Sequence, residues 1–404
     1  MFVTHAPQQR FKAFYDCLSN NDTATSSVVS SYILVKLAAR CNLACTYCYW
    51  FRDKSVLDAP KRLTLEAEDA FLMRLGEHIR QHQLKTFFIL FHGGEPLLFG
   101  AARFEALCAK LRELEAAHGC QLKLAVTTNG VLVDAHWASL LHRWNVGVTV
   151  SLDGPRAVND SRRIGFRGQG SFDAILAGVR QLRAAGVEPG FLSVCEPSSD
   201  PRELVRFFAE DLGACDFDVL VPDATHEDTP ASIAAFYIGL FDAWWDTWLD
   251  RGVRIRLLDT LVRGLLGEES RIESIGFGPN TTSTLATDGA IEPLDVLRTA
   301  GDSFTRTRID VFHNGLQDIQ SDPLWREVLQ ASLTLPKTCQ SCQHRMTCGG
   351  GHVGQRWSAA RRFDNPTVYC EDIKAILAHM SARLFADMTI VAPAGALEAV
   401  REAA

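Results

Sequence analysis

Three cysteines carry the first chemistry in this sequence. Cys41, Cys45 and Cys48 stand in a C-x3-C-x2-C spacing within Arg40-Cys41-Asn42-Leu43-Ala44-Cys45-Thr46-Tyr47-Cys48-Tyr49-Trp50. An apolar run just before them, Tyr32-Ile33-Leu34-Val35-Lys36-Leu37, reads as a buried strand. The thiolates therefore sit on a loop at a strand's C-terminal end, where α/β sheets place their chemistry. Three closely spaced soft ligands suit iron–sulfur or zinc. A closed structural site takes four ligands, so three leave a metal position open. A zinc knuckle completed by a distant residue is the alternative.

A second cysteine set lies near the C-terminus. Cys339, Cys342 and Cys348 precede Gly349-Gly350-Gly351-His352, and Cys370 closes the pattern. Four thiolates of this kind suit a closed cluster or a zinc site. The glycines let backbone approach the metal and donate N–H groups to sulfur. Cys17, Cys108, Cys120, Cys195 and Cys215 match no cluster spacing and read as small buried hydrophobes. Of these, Cys195 ends a strand and is the one placed to face a cavity.

The elements that must position these groups alternate. Apolar strands are expected over 32–37, 86–91, 121–127, 146–151, 188–195 and 217–221. Helices are expected over 64–82, 101–117, 134–144, 171–185 and 201–212. This is an α/β pattern of six repeats, which predicts a parallel sheet curled into a partial (β/α)6 barrel. Right-handed crossovers put every strand's C-terminal end on one rim. On that rim fall Phe91-His92-Gly93-Gly94-Glu95-Pro96, Thr127-Thr128-Asn129-Gly130 and Ser151-Leu152-Asp153-Gly154-Pro155. Each alone is a common turn. Three at the same topological position are hard to explain as turns.

The remaining chain divides by composition. Residues 1–30 read as a polar leader with a short helix over 10–18, and 31–228 as the barrel. Residues 229–280 form a helical bridge whose aromatic stripe, Phe236, Leu240, Phe241, Trp244, Trp245 and Trp248, is expected to pack on the barrel. Residues 281–390 form a second unit with an Asp288-Gly289 hairpin turn, and 391–404 a tail. A net charge of −7 and a pI near 6.0 give no general electrostatic reason to bind nucleic acid. No apolar run is long enough to span a bilayer, and the N-terminus lacks a signal-peptide pattern. Twelve clustered cysteines point to metal ligation in a reducing cytoplasm rather than to disulfides.

The first cysteine loop and the rim motifs together resemble the radical S-adenosylmethionine (SAM) enzymes. The resemblance implies that Cys41, Cys45 and Cys48 hold a 4Fe–4S cluster whose fourth iron binds SAM through its amino and carboxylate groups. Reductive cleavage of SAM then yields a 5′-deoxyadenosyl radical. It implies that Gly93, Gly94, Glu95 and Pro96 meet the SAM amino group. Thr128, Asn129, Ser151 and Asp153 match positions lining its methionine or ribose. Arg163 matches the residue pairing with its carboxylate, with Arg162 as a competitor, and Tyr47 packs near adenine.

The C-terminal set resembles the SPASM extension, which implies a ligand set of Cys339, Cys342, Cys348 and Cys370. The full SPASM pattern supports two auxiliary clusters. Here Leu294 stands where a cysteine is expected, and none lies between Cys215 and Cys339. One auxiliary 4Fe–4S cluster is therefore expected. His352 is either an orphaned ligand position, a proton-handling residue or a packed loop histidine. A finer resemblance, carried by Cys348-Gly349-Gly350-Gly351-His352 and Phe363-Asp364-Asn365-Pro366-Thr367-Val368-Tyr369-Cys370, is to maturases that form three-residue cyclophanes in ribosomally made peptides. It implies hydrogen abstraction from a side-chain Cβ of a precursor peptide, a carbon–carbon bond to an aromatic ring, and an external electron donor such as flavodoxin or ferredoxin. Asp223 is the candidate base for the last proton, with His226, Glu292 and Asp295 as the other candidates. Thioether formation, hydroxylation, epimerisation, dehydrogenation and sulfatase oxidation are the alternatives within radical chemistry, and a zinc binding module lies outside it.

Overall fold

The computed structural model describes residues 29–268 and 272–391. The expected 10–18 helix, Cys17 and the tail beyond 391 lie outside the described residues. Among the described residues nine strands form one sheet: β1 (Tyr32–Ala38), β2 (Thr86–Gly93), β3 (Gln121–Thr128), β4 (Val146–Ser151), β5 (Gly190–Val194), β6 (Asp216–Leu220), β7 (Arg254–Ile255), β8 (Thr284–Leu285) and β9 (Ile291–Glu292). Their order is β7-β6-β5-β4-β3-β2-β1-β8-β9, so the sheet is open rather than closed. The pairs from β1 through β7 are parallel, and so is β1 with β8; β8 with β9 is antiparallel.

The apolar run of β1 is buried on both faces, as strands of a covered parallel sheet must be. Helices pack the outer face and are started by ordinary caps. Thr64 accepts from the Ala67 N–H at 3.1 Å, and Asp134 from the Trp137 N–H at 2.8 Å. The aromatic bridge packs as expected: Phe236, Leu240, Phe241, Trp244 and Trp248 are all buried. The helix Cys370–Val391 lies against this bridge, with His379 and Arg383 both bonded to Asp242.

The structure departs from the sequence reading in four places. The expected 201–212 helix is Pro201–Arg206 followed by a π-turn over Phe207–Asp211. Strand β7 was not anticipated; two residues are too few for any periodicity to show. The 284–292 hairpin does not stand apart but extends the barrel sheet beside β1. Cys215 is exposed, whereas Cys108, Cys120 and Cys195 are buried as expected.

Candidate active site

The C-terminal ends of β1–β6 surround one cavity of about 170 Å³. Cys41, Cys45, Cys48 and Tyr47 line it from the first loop, and His92, Gly93, Gly94, Thr128, Asn129 and Ser151 from the next three strand ends. Arg163 and Asp223 complete the ring. The loop after β2 holds the cysteine loop in place through its backbone. Gly94 N–H donates to Ala38 O and Glu95 N–H to Arg40 O, both at 2.8 Å. A Cβ on Gly94 would lie 2.4 Å from Arg40 O, so only glycine permits this approach.

Other sequence candidates are placed one layer out. The Glu95 carboxylate accepts from Thr128 Oγ1 at 2.7 Å, Asn129 N–H at 2.8 Å and Leu97 N–H at 3.0 Å. Burial nonetheless pushes its carboxyl up. Glu95 thus clamps the ends of β2 and β3, and neither it nor Pro96 lines the cavity. Asp153 likewise turns inward, accepting from Tyr47 Oη at 2.7 Å and Val194 N–H at 3.1 Å. Cys195 is buried and does not reach the cavity. Arg162 packs over the Tyr47 ring at 4.3 Å rather than facing in.

Two details bear on what the ring of residues can hold. Arg163 is buried and donates to Tyr47 Oη at 2.5 Å, yet its Nε has no hydrogen-bond partner. A buried guanidinium N–H without an acceptor is costly, and an incoming carboxylate would satisfy it. Burial pushes Cys41 up to about 12 and raises Cys45 and Cys48. These thiols ionise only when a cation takes the proton's place. Asn129 Nδ2 lies 3.7 Å from Cys41 Sγ, a donor aimed at the prospective thiolate.

Residues 35–197 match the model of the Radical SAM superfamily. Over residues 35–197 the chain carries a radical SAM segment, and its enzyme chemistry is of radical SAM type. It is 26% identical over 381 residues to a cysteine-type anaerobic sulfatase-maturating enzyme of Clostridium perfringens, covering 87% of this chain and 96% of that protein. A serine-type anaerobic sulfatase-maturating enzyme of Bacteroides thetaiotaomicron is 23% identical, over 81% of this chain and 83% of that one. Among solved structures, native anSMEcpe with bound AdoMet and the Kp18Cys peptide superposes with a TM-score of 0.76 at 21% identity. That likeness covers 89% of this chain and 99% of the other. Streptococcus suis SuiB bound to precursor peptide SuiA gives 0.58 at 16% identity, over 87% and 78%. These structures share the fold. The cofactors of this chemistry are SAM and 4Fe–4S clusters.

The second cysteine set encloses its own cavity, lined by Cys339, Cys342, Cys348, Cys370, Gly350, His344, Arg345 and Lys374. Burial pushes Cys348 up to about 12, while the Gly350 N–H donates toward its sulfur. Gly349 adopts a left-handed φ of 65° and abuts Gly276 O, where a Cβ would lie at 2.2 Å. Among the described residues no three His, Cys, Asp or Glu side chains converge on a single-ion position. Both thiol sets instead line the walls of cavities. Zinc would need its thiolates within about 2.3 Å of one point.

Sequence reasoning missed the buried ion pairs between the cysteine loop and the hairpin. Lys36 is fully buried in β1 and bonds Asp295; Tyr49 Oη also donates to Asp295, at 2.6 Å. The Lys36 Nζ lies 3.0 Å from His92 Nδ1 and 4.3 Å from the Trp50 ring centroid. Next to this pair, Arg298 bridges Asp53 and Glu292, and Thr305 Oγ1 adds a bond to Glu292 at 3.0 Å. Burial would raise the Asp295 carboxyl, but Lys36 and the two hydrogen bonds hold it well below the usual range. Burial pushes Lys36 down and His92 down to about 3. One local signal was available: a lysine inside an apolar strand needs a buried partner.

The remaining acid–base groups behave differently. Burial raises Asp223 to about 6, although the positive charge of His352 opposes this. Its loop is tied to the C-terminal unit, with Gln355 Nε2 donating to Pro222 O at 3.3 Å and His226 N–H to Trp357 O at 2.9 Å. His226 Nε2 bonds Pro366 O at 2.8 Å on the exposed side. His352 is buried, 3.7 Å from Glu273 and outside the lining of either cysteine cavity. Among the described residues no helix is long and apolar enough to cross a membrane.

Proposed function

We propose that this chain matures a ribosomally made precursor peptide by joining a side-chain Cβ to an aromatic ring. The observation that carries the reading is the hairpin. Where a complete SPASM set would bring a cysteine, Leu294 is buried in an apolar cluster and Asp295 is neutralised by Lys36. Ion pairs fill the space, leaving one thiol set, Cys339, Cys342, Cys348 and Cys370, for a single auxiliary cluster. The named activities of the sulfatase-maturating relatives and the peptide bound in the SuiB structure support a peptide substrate.

Cys41, Cys45 and Cys48 would hold the first cluster. Arg163 would receive the SAM carboxylate, with Gly93, Gly94, Thr128, Asn129 and Ser151 along its length and Tyr47 beside the adenine. Cluster and SAM together supply a 5′-deoxyadenosyl radical, and every other task falls to the chain. Glu95 and Asp153 keep the strand ends and Tyr47 rigid, so that the reacting carbon is held at one distance. Trp50, Phe51 and the Tyr49–Asp295 contact wall off water on the hairpin side. Asp223 faces the cavity with its carboxyl raised to about 6, suited to receive the proton that leaves the ring, and the electron that leaves with it would be taken by the auxiliary cluster that Cys339, Cys342, Cys348 and Cys370 would hold. Asp295, held ionised by Lys36, serves as a counter-ion.

The pH dependence tests Asp223. Its base form exists above about 6, so cross-linked product per deoxyadenosine should rise with pH through that value and then level off. Asp223→Asn should cut cross-linking by about 100-fold while SAM cleavage continues. The assignment fails if the product ratio in Asp223→Asn matches that of the unaltered enzyme across pH 5–8.

The function itself is tested by intact mass after anaerobic incubation with SAM, a reductant and any short peptide found encoded beside this chain. Loss of two hydrogens, with tandem spectra showing two residues that no longer fragment apart, is expected. The near full-length match to sulfatase-maturating enzymes favours a second reading, oxidation of a cysteine or serine to an aldehyde. An aldehyde-reactive hydrazide that labels the product would establish that reading instead.

A further inference from the structure

Cleavage of SAM consumes one electron that this chain does not itself hold, so a donor must approach Cys41, Cys45 and Cys48 from outside. One side of the cysteine loop is closed. Trp50 is buried, and Tyr49 is held against Asp295 of the hairpin. The other side meets the turn over 163–170. Ala44 N–H donates to Ile164 O of the turn at 2.7 Å and Thr46 N–H to Arg162 O, just before it, at 3.0 Å, so both neighbours of Cys45 bond this stretch. The turn is a small hairpin, closed by an Ile164–Gly170 bridge and a Gly165 N–H to Gln169 O bond at 2.8 Å.

Its tip projects two residues suited to a partner. Phe166 is 74% exposed, the most of any large hydrophobic side chain among the described residues. Arg167 beside it is exposed. Nearby Arg156 is paired with Asp173, and Arg162 with Glu196 at 3.3 Å. Among the described residues Arg167 has no such carboxylate. An unneutralised cation beside an exposed aromatic ring, on a chain of net charge −7, is a local reversal of sign. An open groove lined by Thr46, Tyr47, Arg162 and Glu196 lies along the outer wall of the cysteine loop, beside the residue that precedes the turn.

We propose that the 163–170 turn docks the one-electron donor, a small acidic protein carrying a reduced flavin or iron–sulfur group. Phe166 is the apolar anchor and Arg167 steers the acidic surface. The donor loses one electron per SAM cleaved, and no atom is transferred. From the anchor, the route inward is two residues of backbone to Ile164 and one hydrogen bond to Ala44, next to Cys45. The proposal rests on the reading of Cys41, Cys45 and Cys48 as cluster ligands.

The test compares two reductants on the iron-loaded enzyme, measuring deoxyadenosine. Phe166→Ala/Arg167→Glu should slow turnover driven by photoreduced flavodoxin by about tenfold or more. Added salt should slow the unaltered enzyme with that donor. With dithionite, which needs no docking, the variant should stay within about twofold, since neither side chain lines the cavity. An unchanged flavodoxin-driven rate overturns the proposal. An equal loss with both donors also overturns it, and shows that the turn shapes the cysteine loop. A raised peptide KM under dithionite would assign the turn to the peptide instead. An unaltered enzyme that cleaves no SAM with dithionite sinks the ligand reading itself.

Discussion

Cys45→Ala is expected to lower deoxyadenosine formation by more than about 100-fold, because losing a ligand costs at least as much as losing a group that merely orients one. Iron should fall from about eight to about four atoms per chain, two clusters reduced to one. Cys45 is the sharpest choice of the three, for burial raises its thiol while Arg163 pulls it back down. The same guanidinium would hold the SAM carboxylate, so the variant removes the cluster and leaves its surroundings intact. Cys342→Ala is the companion: it should lose the other four irons and keep SAM cleavage. A Cys45→Ala protein with full iron that still cleaves SAM would refute the assignment. Zinc in place of iron in the anaerobically purified chain would establish the binding module.

The second large effect lies away from the metal. Lys36→Met should leave the Asp295 carboxylate buried without a counter-ion, at a cost of about 3–5 kcal/mol. Tyr49 remains beside it as an uncharged hydrogen-bond donor, and burial still works against a charge on His92. Protection of the β1 amides against hydrogen exchange should fall by about 100-fold or more, as 1.4 kcal/mol is a factor of about ten. Lys36→Met/Asp295→Leu should recover most of the loss, because a buried ion pair replaced by apolar groups of similar volume is often neutral. The sign with pH follows from Asp295, whose folded pKa is depressed. Its contribution is present above the unfolded carboxylate value of about 3.9 and is lost as pH falls through the lower folded value. If the single variant keeps native protection, the pair is not a structural tie between hairpin and barrel.

The elements most plainly legible in the sequence were those whose signal is local. The six parallel strands of the barrel appear as apolar-rich runs, nearly continuous in β1, where both faces are covered, and alternating in β3 and β4, where one face is less so. The cysteine spacings are legible because one loop must bring its thiols to one place, and loop geometry depends on near neighbours. Gly94 and Gly349 are legible for the same reason, since close backbone approach admits no side chain.

The tertiary structure decided what depends on distant residues. Lys36 and Asp295 are 259 positions apart and Arg298 and Asp53 are 245 apart. The lysine announced that a partner existed but not which carboxylate would serve. Strands β8 and β9 are two residues each, too short for periodicity, so their place beside β1 rests on register with a strand already formed. Glu95 and Asp153 stand in motifs that suggested cavity contacts, yet both turn inward to satisfy backbone donors exposed at strand ends. The sequence alone determined which chemistry the chain carries, because ligand type and spacing are properties of a segment. Which acid is free to take a proton, and which is locked in an ion pair, is a property of burial, and burial exists only once the chain has folded.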